Sequence, residues 1–415
     1  KPITPGCRPG IEDNVFLLVL PVVVVYVICF LKRPYVVSLV KDSGSLIRLV
    51  FHMLVAATAS LIVFALLNPY AILDISTYYS DITAQSGMAK HAGLWPFTVQ
   101  YIGTYPFLYQ LKQSIVWGLG IPLGIISWSG LFFSIFLLFR TRNWNIADIL
   151  LIVWVVPSVI FLETFEVHFL RYIFYLIPFL ILLGSRMCVS FWDSSLGISL
   201  AARKSGPDVG GYLHRLKYMS RRHLHSMVLL FISISVIMTA LHAIAFQAIY
   251  LTPHTAVQAS DWFQNNVKPG AKIIADNHWD EFIPNMDRFS LWQFPVYDPD
   301  NKDKMSTLAS HLSESEYLVF YSYRPFVSAL RGDAKYQYSA RYYELLFSGD
   351  LGYWPVKTFL SYPTVANISL RDDPYSGVGL NDPTVQDAAS WGLDVNLGYA
   401  DDNVVGYDHP QVLVF

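Results

Sequence analysis

Arg171 is the residue of this chain best suited to holding a phosphate. Its planar guanidinium can offer two parallel N–H donors to phosphate oxygens. His168 lies three positions earlier, on the same face if the segment is helical. Glu163 and Glu166 complete an ionisable group at the ends of two apolar stretches. Ionisable groups at membrane depth are expensive, so such a group is a functional candidate by default. The same residue types also allow an ion pair between Glu166 and Arg171 that only fixes helix packing. Near neutral pH, His168 would carry its charge only part of the time.

A second candidate set lies in TVQYIGT, where Gln100, Tyr101 and Thr104 can line a polar site at a membrane surface. The plainer reading of this stretch is anchoring. Trp95, Phe97, Tyr101, Tyr105, Phe107 and Tyr109 suit the headgroup zone, where aromatic rings meet both oil and water. A third set, Asp276, His278, Asp280 and Glu281 in DNHWDE, has metal-donor types at a spacing that matches no defined ligand pattern. A loop at a strand end accounts for it. Asn367-Ile368-Ser369 fits a glycosylation acceptor. The sequence holds no P-loop, dinucleotide fingerprint, nucleophile elbow or zinc motif, and no basic nucleic-acid face.

The elements that must position these residues are apolar spans. Hydrophobic residues make up 53% of the chain and charged residues 14%, too few for an ordinary soluble surface. A helix crossing the hydrocarbon core needs roughly 20 mostly apolar residues. Six stretches meet or approach that length: Val15–Leu31, Leu49–Leu67, Ser114–Phe139, Asp148–Leu162, Phe169–Val189 and Ser226–Tyr250. Lys and Arg concentrate in alternate connections, at Lys32–Arg48, after Phe139 and between Arg186 and Arg222. Those connections are therefore expected inside, and the loop at 68–113, the segment Lys1–Asn14 and the tail outside. An outside start is expected to need further spans upstream, so the chain reads as part of a longer protein; the other reading is a complete chain that inserts unaided. The three cysteines, Cys7, Cys29 and Cys188, cannot build a disulfide framework.

Residues 1–250 are thus expected to form a membrane region and residues 251–415 a soluble extracytoplasmic domain of mixed α/β character. In the loop, Ile72–Met88 has the pattern of a helix lying on a membrane surface. In the tail, AVQASDWFQNNV, DKMSTLASHL and RYYELLFSG read as helices, the last stopped by Gly349. AKIIAD, EYLVFYS and QVLVF read as strands.

Several segments, in order along the chain, resemble prokaryotic glycosyltransferases of the GT-C type, the protein mannosyltransferase-like family 39. They are NPYAILD, PFTVQYIGTYPFLYQ with WGLGIPLG, and VHFLRYIFYLIPFLILLG. In the tail they are PHTAVQASDWFQNNVKPGAKIIADNHWDEFIP, YDPDNKDK, RYYELLFSGDLGY and GYDHPQVLVF. The resemblance implies a polytopic enzyme of the cell membrane that moves a sugar from a polyprenyl-phosphate donor to a protein, lipid or glycan acceptor. The chemistry would lie on the non-cytoplasmic side. Some such enzymes use a divalent metal and others do not. In the family an acidic residue of the first external loop acts as base, and that loop would lie upstream of Lys1. What this chain would retain is the donor side: Arg171, Tyr172 and Pro178 match the family's Arg-Tyr pair before a proline-containing span. Arg171 would bind the lipid phosphate, helped by His168, with Gln100–Thr104 near sugar or acceptor. Two other readings stay open. A flippase for lipid-linked sugars would use Gly118, Gly120 and Pro122 as a helix break, and a non-catalytic subunit would join a larger assembly.

Overall fold

The computed structural model describes residues 20–25, 43–140, 146–205, 212–276, 283–332, 334–385 and 392–415. The chain is mostly helical, with a small mixed sheet region. Among the described residues, four helical stretches are long and apolar enough to cross a membrane: Val50–Leu67, Ile121–Arg140, Leu170–Ser194 and Ser226–Asn266. A fifth apolar helix, Ile146–Leu162, is shorter. Most of the expected span Val15–Leu31 lies outside the described residues, as do His278, Asp280 and Glu281.

One compact unit takes in Lys1–His91, Ser127–Val167 and Tyr172–Met187. Its first long helix, α1 (Ser43–Leu67), buries none of its 50–67 window and presents Phe51, Leu54, Leu61 and Leu66 to its surroundings. That is the pattern of a helix whose solvent is lipid. A short turn of helix, α2 (Tyr70–Leu73), leads into α3 (Ile75–Lys90), whose N-terminus is capped by Asp74 accepting from the Thr77 amide at 3.2 Å. The helix expected over Ile72–Met88 is therefore present, with a break at Asp74.

Two features interrupt the expected spans. The stretch from Ser114 is not one helix. A short helix α4 (Leu108–Gln113) runs into a wide π turn at Ser114–Gly118, and α5 (Ile121–Arg140) begins only after Gly120. Gly120 has φ +76°, a conformation that ends a helix and that glycine adopts without strain. The stretch from Phe169 starts as a tight 3₁₀ segment, Leu170–Leu176, before α7 (Ile177–Ser205). Pro178 is the second residue of α7, where its missing N–H costs no helical bond. Between them α6 (Ile146–Leu162) buries Asp148, which pairs with Arg186 of α7. The last long helix is α8 (Tyr212–Ala248).

The second unit comprises Ala92–Ile126, His168–Arg171 and Cys188–Phe415, so it draws residues from both sides of position 250. After α9 (Thr255–Asn266) comes a five-stranded sheet of order β2-β1-β3-β8-β4. Its strands are β1 (Lys272–Asp276), β2 (Ser290–Phe294), β3 (Tyr317–Phe320), β4 (Lys357–Phe359) and β8 (Val412–Val414). β1 is parallel to β2 and β3, and β8 is antiparallel to β3 and β4. Ile273 and Ile274, and Val412 through Val414, are all buried, as strands covered on both faces must be. Val319 joins the layer of Phe263 and Val267 under α9. Its neighbour Phe320 turns the other way, against Phe326 and Tyr343. Those rings belong to α11 (Arg324–Arg331) and α12 (Gln337–Phe347), while α10 (Lys302–Glu314) connects β2 to β3.

Every tail element expected from the sequence is present, and α12 ends at Gly349 with φ +83°. The sequence reading misses β2, β4, α11, a second sheet of β5 (Thr364–Val365), β6 (Ile368–Arg371) and β7 (Leu393–Asn396), and the one-turn helix α13 (Asp402–Val405). Asn367 of the acceptor tripeptide sits with Ala366 at positive φ in the β5–β6 turn.

Candidate functional site

Loop and tail are tied together by one buried carboxylate. Asp401 caps α13 by accepting from the Asn403 amide at 3.0 Å through Oδ1. Its other oxygen accepts from two phenols, Tyr101 at 2.8 Å and Tyr109 at 3.0 Å. Burial pushes the Asp401 carboxyl above its usual range, opposed by the hydrogen bonds from Asn403 and Tyr101. Burial likewise pushes both phenols well up, and the neighbouring Asp401 charge adds to it. Tyr101 and Tyr109 therefore keep their protons, as hydrogen-bond donors, across the physiological range.

The local sequence explains why the loop presents these groups. Pro96 opens a single 3₁₀ stretch, Pro96–Tyr101, and the Thr98 hydroxyl donates back to Ala92 O at 2.7 Å and Trp95 O at 2.8 Å. The stretch is thereby wound tightly with Thr98, Val99, Gln100 and Tyr101 all buried. Gln100 spends each polar atom inside the protein. Its Nε2 donates to Phe97 O at 3.0 Å, its Oε1 accepts from Tyr399 at 2.6 Å, and its carbonyl accepts from Arg331 at 2.6 Å. Thr104 donates to Tyr101 O at 2.7 Å. Gln113 reads the tail backbone, donating to Tyr399 O and accepting from the Asp401 amide, both at 3.0 Å.

The same rings form a wall around the His168–Arg171 segment. Tyr101 meets Phe169 edge to face at a centroid separation of 5.1 Å and His168 at 6.5 Å. Tyr109 lies 5.9 Å from His168, and Gln110 Nε2 donates to Phe169 O at 3.1 Å. The Arg171 guanidinium stands 4.3 Å from the Phe169 ring centroid, a cation–π contact that holds the charge in place.

The candidates from the sequence thus divide. Gln100, Tyr101, His168 and Arg171 are brought into one neighbourhood. Gln100 and Tyr101 are turned inward and engaged by the tail, so they do not line an open surface. Tyr101 is an interior residue and Tyr109 half-buried, whereas Tyr105 and Phe107 remain exposed. His168 is 2% exposed, and burial holds its pKa below the usual histidine value, so it is neutral near pH 7 and adds no second cation beside Arg171. Tyr172 is buried in the other compact unit. Sequence reading missed Asp401, Tyr399, Gln113 and Arg331. An acidic pair after a tyrosine in a polar tail looks like a solvated turn, and no local signal distinguishes it.

Among the described residues no three His, Cys, Asp or Glu side chains gather where they could hold a metal ion. The chain matches no family model, no curated protein and no solved structure.

Proposed function

We propose that this chain is the donor-binding part of a membrane glycosyltransferase that takes a sugar from a polyprenyl-phosphate carrier and passes it to a protein, lipid or glycan acceptor. The observation that supports it is the seating of Arg171 on Phe169 within the unit that also holds the aromatic loop and the tail. This places one fixed cation at the end of an apolar stretch, which is where the phosphate of a membrane-bound carrier would stand. Four helices of membrane-crossing length agree with such a carrier. So does the resemblance of the chain's segments to the family 39 group.

In this reading the phosphate is the leaving group. As the sugar–phosphate bond breaks, negative charge builds on the phosphate oxygens, and a guanidinium already held in place stabilises that charge without reorganising. His168, neutral and buried, contributes one hydrogen-bonding nitrogen and shape but no charge. In this reading the loop and tail face the non-cytoplasmic side, the orientation that the distribution of Lys and Arg favours.

The test is transfer of labelled hexose from a polyprenyl-phosphate donor by membranes containing the full-length protein. Arg171→Ala is expected to lower the rate by about 100-fold, the scale of losing one charge-stabilising group. An unchanged rate, or movement of the lipid-linked sugar across the bilayer without any transfer, overturns the reading.

A further inference from the structure

We infer that Asp401 is a positioning residue for the anion site at Arg171, acting through Tyr101, Tyr109 and Phe169. The inference rests on the donor-phosphate reading of Arg171 and adds a control point to it, in the tail, far away in sequence.

The argument follows the contacts. Arg171 is held by the face of Phe169. Phe169 is held from the edge by the ring of Tyr101 and, at its carbonyl, by Gln110. Tyr101 cannot rotate freely because its hydroxyl donates to Asp401, and Tyr109, sharing the same carboxylate oxygen, packs edge-on against it at 5.6 Å. Asp401 in turn is fixed by Gln113 at its amide and by Asn403 at Oδ1. The Tyr101–Asp401 and Gln113–Asp401 hydrogen bonds are buried, so their release would leave unpaired polar groups, and this favours one arrangement of the rings packed on them. Phenylalanine at 101 or 109 would fill the same volume. The choice of tyrosine, with both hydroxyls on one carboxylate, has a purpose beyond packing: it sets the angle of two rings against the His168–Phe169 backbone. A guanidinium that stacks on Phe169 is displaced when that ring tilts. A misplacement of a fraction of an ångström is enough to weaken a bidentate contact with phosphate.

The experiment measures binding of farnesyl phosphate to the full-length chain in detergent, with inorganic phosphate as the headgroup-only probe and thermal melting followed in parallel. Asp401→Asn and Tyr109→Phe keep the volume of the site and approach the same bond from its two ends. Each is expected to weaken farnesyl phosphate binding by about three- to tenfold while the folded protein melts as a single transition. The decisive readout is a double-mutant cycle: in an Arg171→Ala background, Asp401→Asn should have no further effect on binding, because its action passes through Arg171. A merely structural role would lower the melting temperature equally in both backgrounds and leave affinity of the folded fraction unchanged. If Arg171→Ala weakens binding but neither Asp401→Asn nor Tyr109→Phe does, or if the effects of Asp401 and Arg171 simply add, the positioning role is wrong and the donor-site reading stands. If Arg171→Ala itself leaves binding unchanged, both fall together. Equal loss for inorganic phosphate and farnesyl phosphate would place the effect at the headgroup, as expected. Loss confined to farnesyl phosphate would place it on the isoprenoid and overturn the inference.

Discussion

Gly130 of α5 and Gly184 of α7 meet backbone to backbone. A Cβ placed on Gly130 would overlap the Gly184 nitrogen and the adjoining Leu183 carbonyl carbon, neither of which can swing aside. Two apolar helices in lipid gain nothing by hiding oily surface from each other, and their association depends on such close approach.

Gly130→Ala is therefore expected to push α5 and α7 apart and to cost about 1–3 kcal/mol, the usual range for overpacking a filled interior. Fluorescence-detected melting of the detergent-solubilised protein would show a drop of several degrees. Gly93→Ala serves as the control, since nothing lies within 4 Å of a Cβ there. Equal melting temperatures for the two variants would refute the close-packing account.

Arg324 and Asp402 form a buried pair at the start of α11 and α13. Nε of Arg324 donates to Asp402 Oδ2 at 2.9 Å, Nη2 reaches the same oxygen, and the guanidinium lies 5.7 Å from the Tyr407 ring centroid. Their side chains are only 10% and 5% exposed. Arg324→Met would strand a carboxylate without its cation, and about 3–5 kcal/mol of stability should be lost. Arg324→Met combined with Asp402→Leu should recover most of it, because an apolar pair of similar volume needs no partner. Hydrogen exchange at residues 399–405 is the readout, and a single substitution with no effect would count against the pair.

His409 gives the tail an acid-sensitive point. Burial lowers its pKa to about 4 from an ordinary 6.5, with Asp408 acting in the opposite direction. Between those values the unfolded chain binds a proton that the native chain refuses, so the contribution of this group is complete above pH 6.5 and is lost as pH falls towards 4. Asp372 slopes the other way. Burial raises its carboxyl from 3.8 to about 7, with Asp373 adding to the rise, so its contribution is complete below pH 3.8 and is lost as pH climbs to 7. His409→Asn should flatten the acid limb of a melting-versus-pH curve by at most about 3 kcal/mol. Asp372→Asn should raise stability at pH 8 and leave it nearly unchanged at pH 4. Curves that move in the reverse sense would rule out these assignments.

Much of the architecture was legible because hydropathy and helix pattern are local. The apolar runs over Leu49–Leu67 and Ser226–Tyr250 became α1 and the latter part of α8, and the alternating or wholly apolar runs KIIAD and QVLVF became β1 and β8. What misled was also local. The run from Ser114 is apolar enough to span, but Gly120 at positive φ starts the helix seven residues later, and composition is blind to backbone angle. SLWQF carries no strand signal of its own, because its pairing with β1 is what makes it one.

The candidate site shows the division most sharply. By itself the sequence determined which side chains were available: a cation in Arg171, a titratable ring in His168, amide and phenol groups in Gln100 and Tyr101. Their direction was decided by tertiary structure alone. Tyr101 finds its acceptor in Asp401, and Gln100 finds Tyr399 and Arg331, across separations that no spacing rule covers. A buried phenol or amide must be paired somewhere. When the nearest partner along the chain is absent, the fold has to supply one from afar, and here it does so by folding the tail back over the loop.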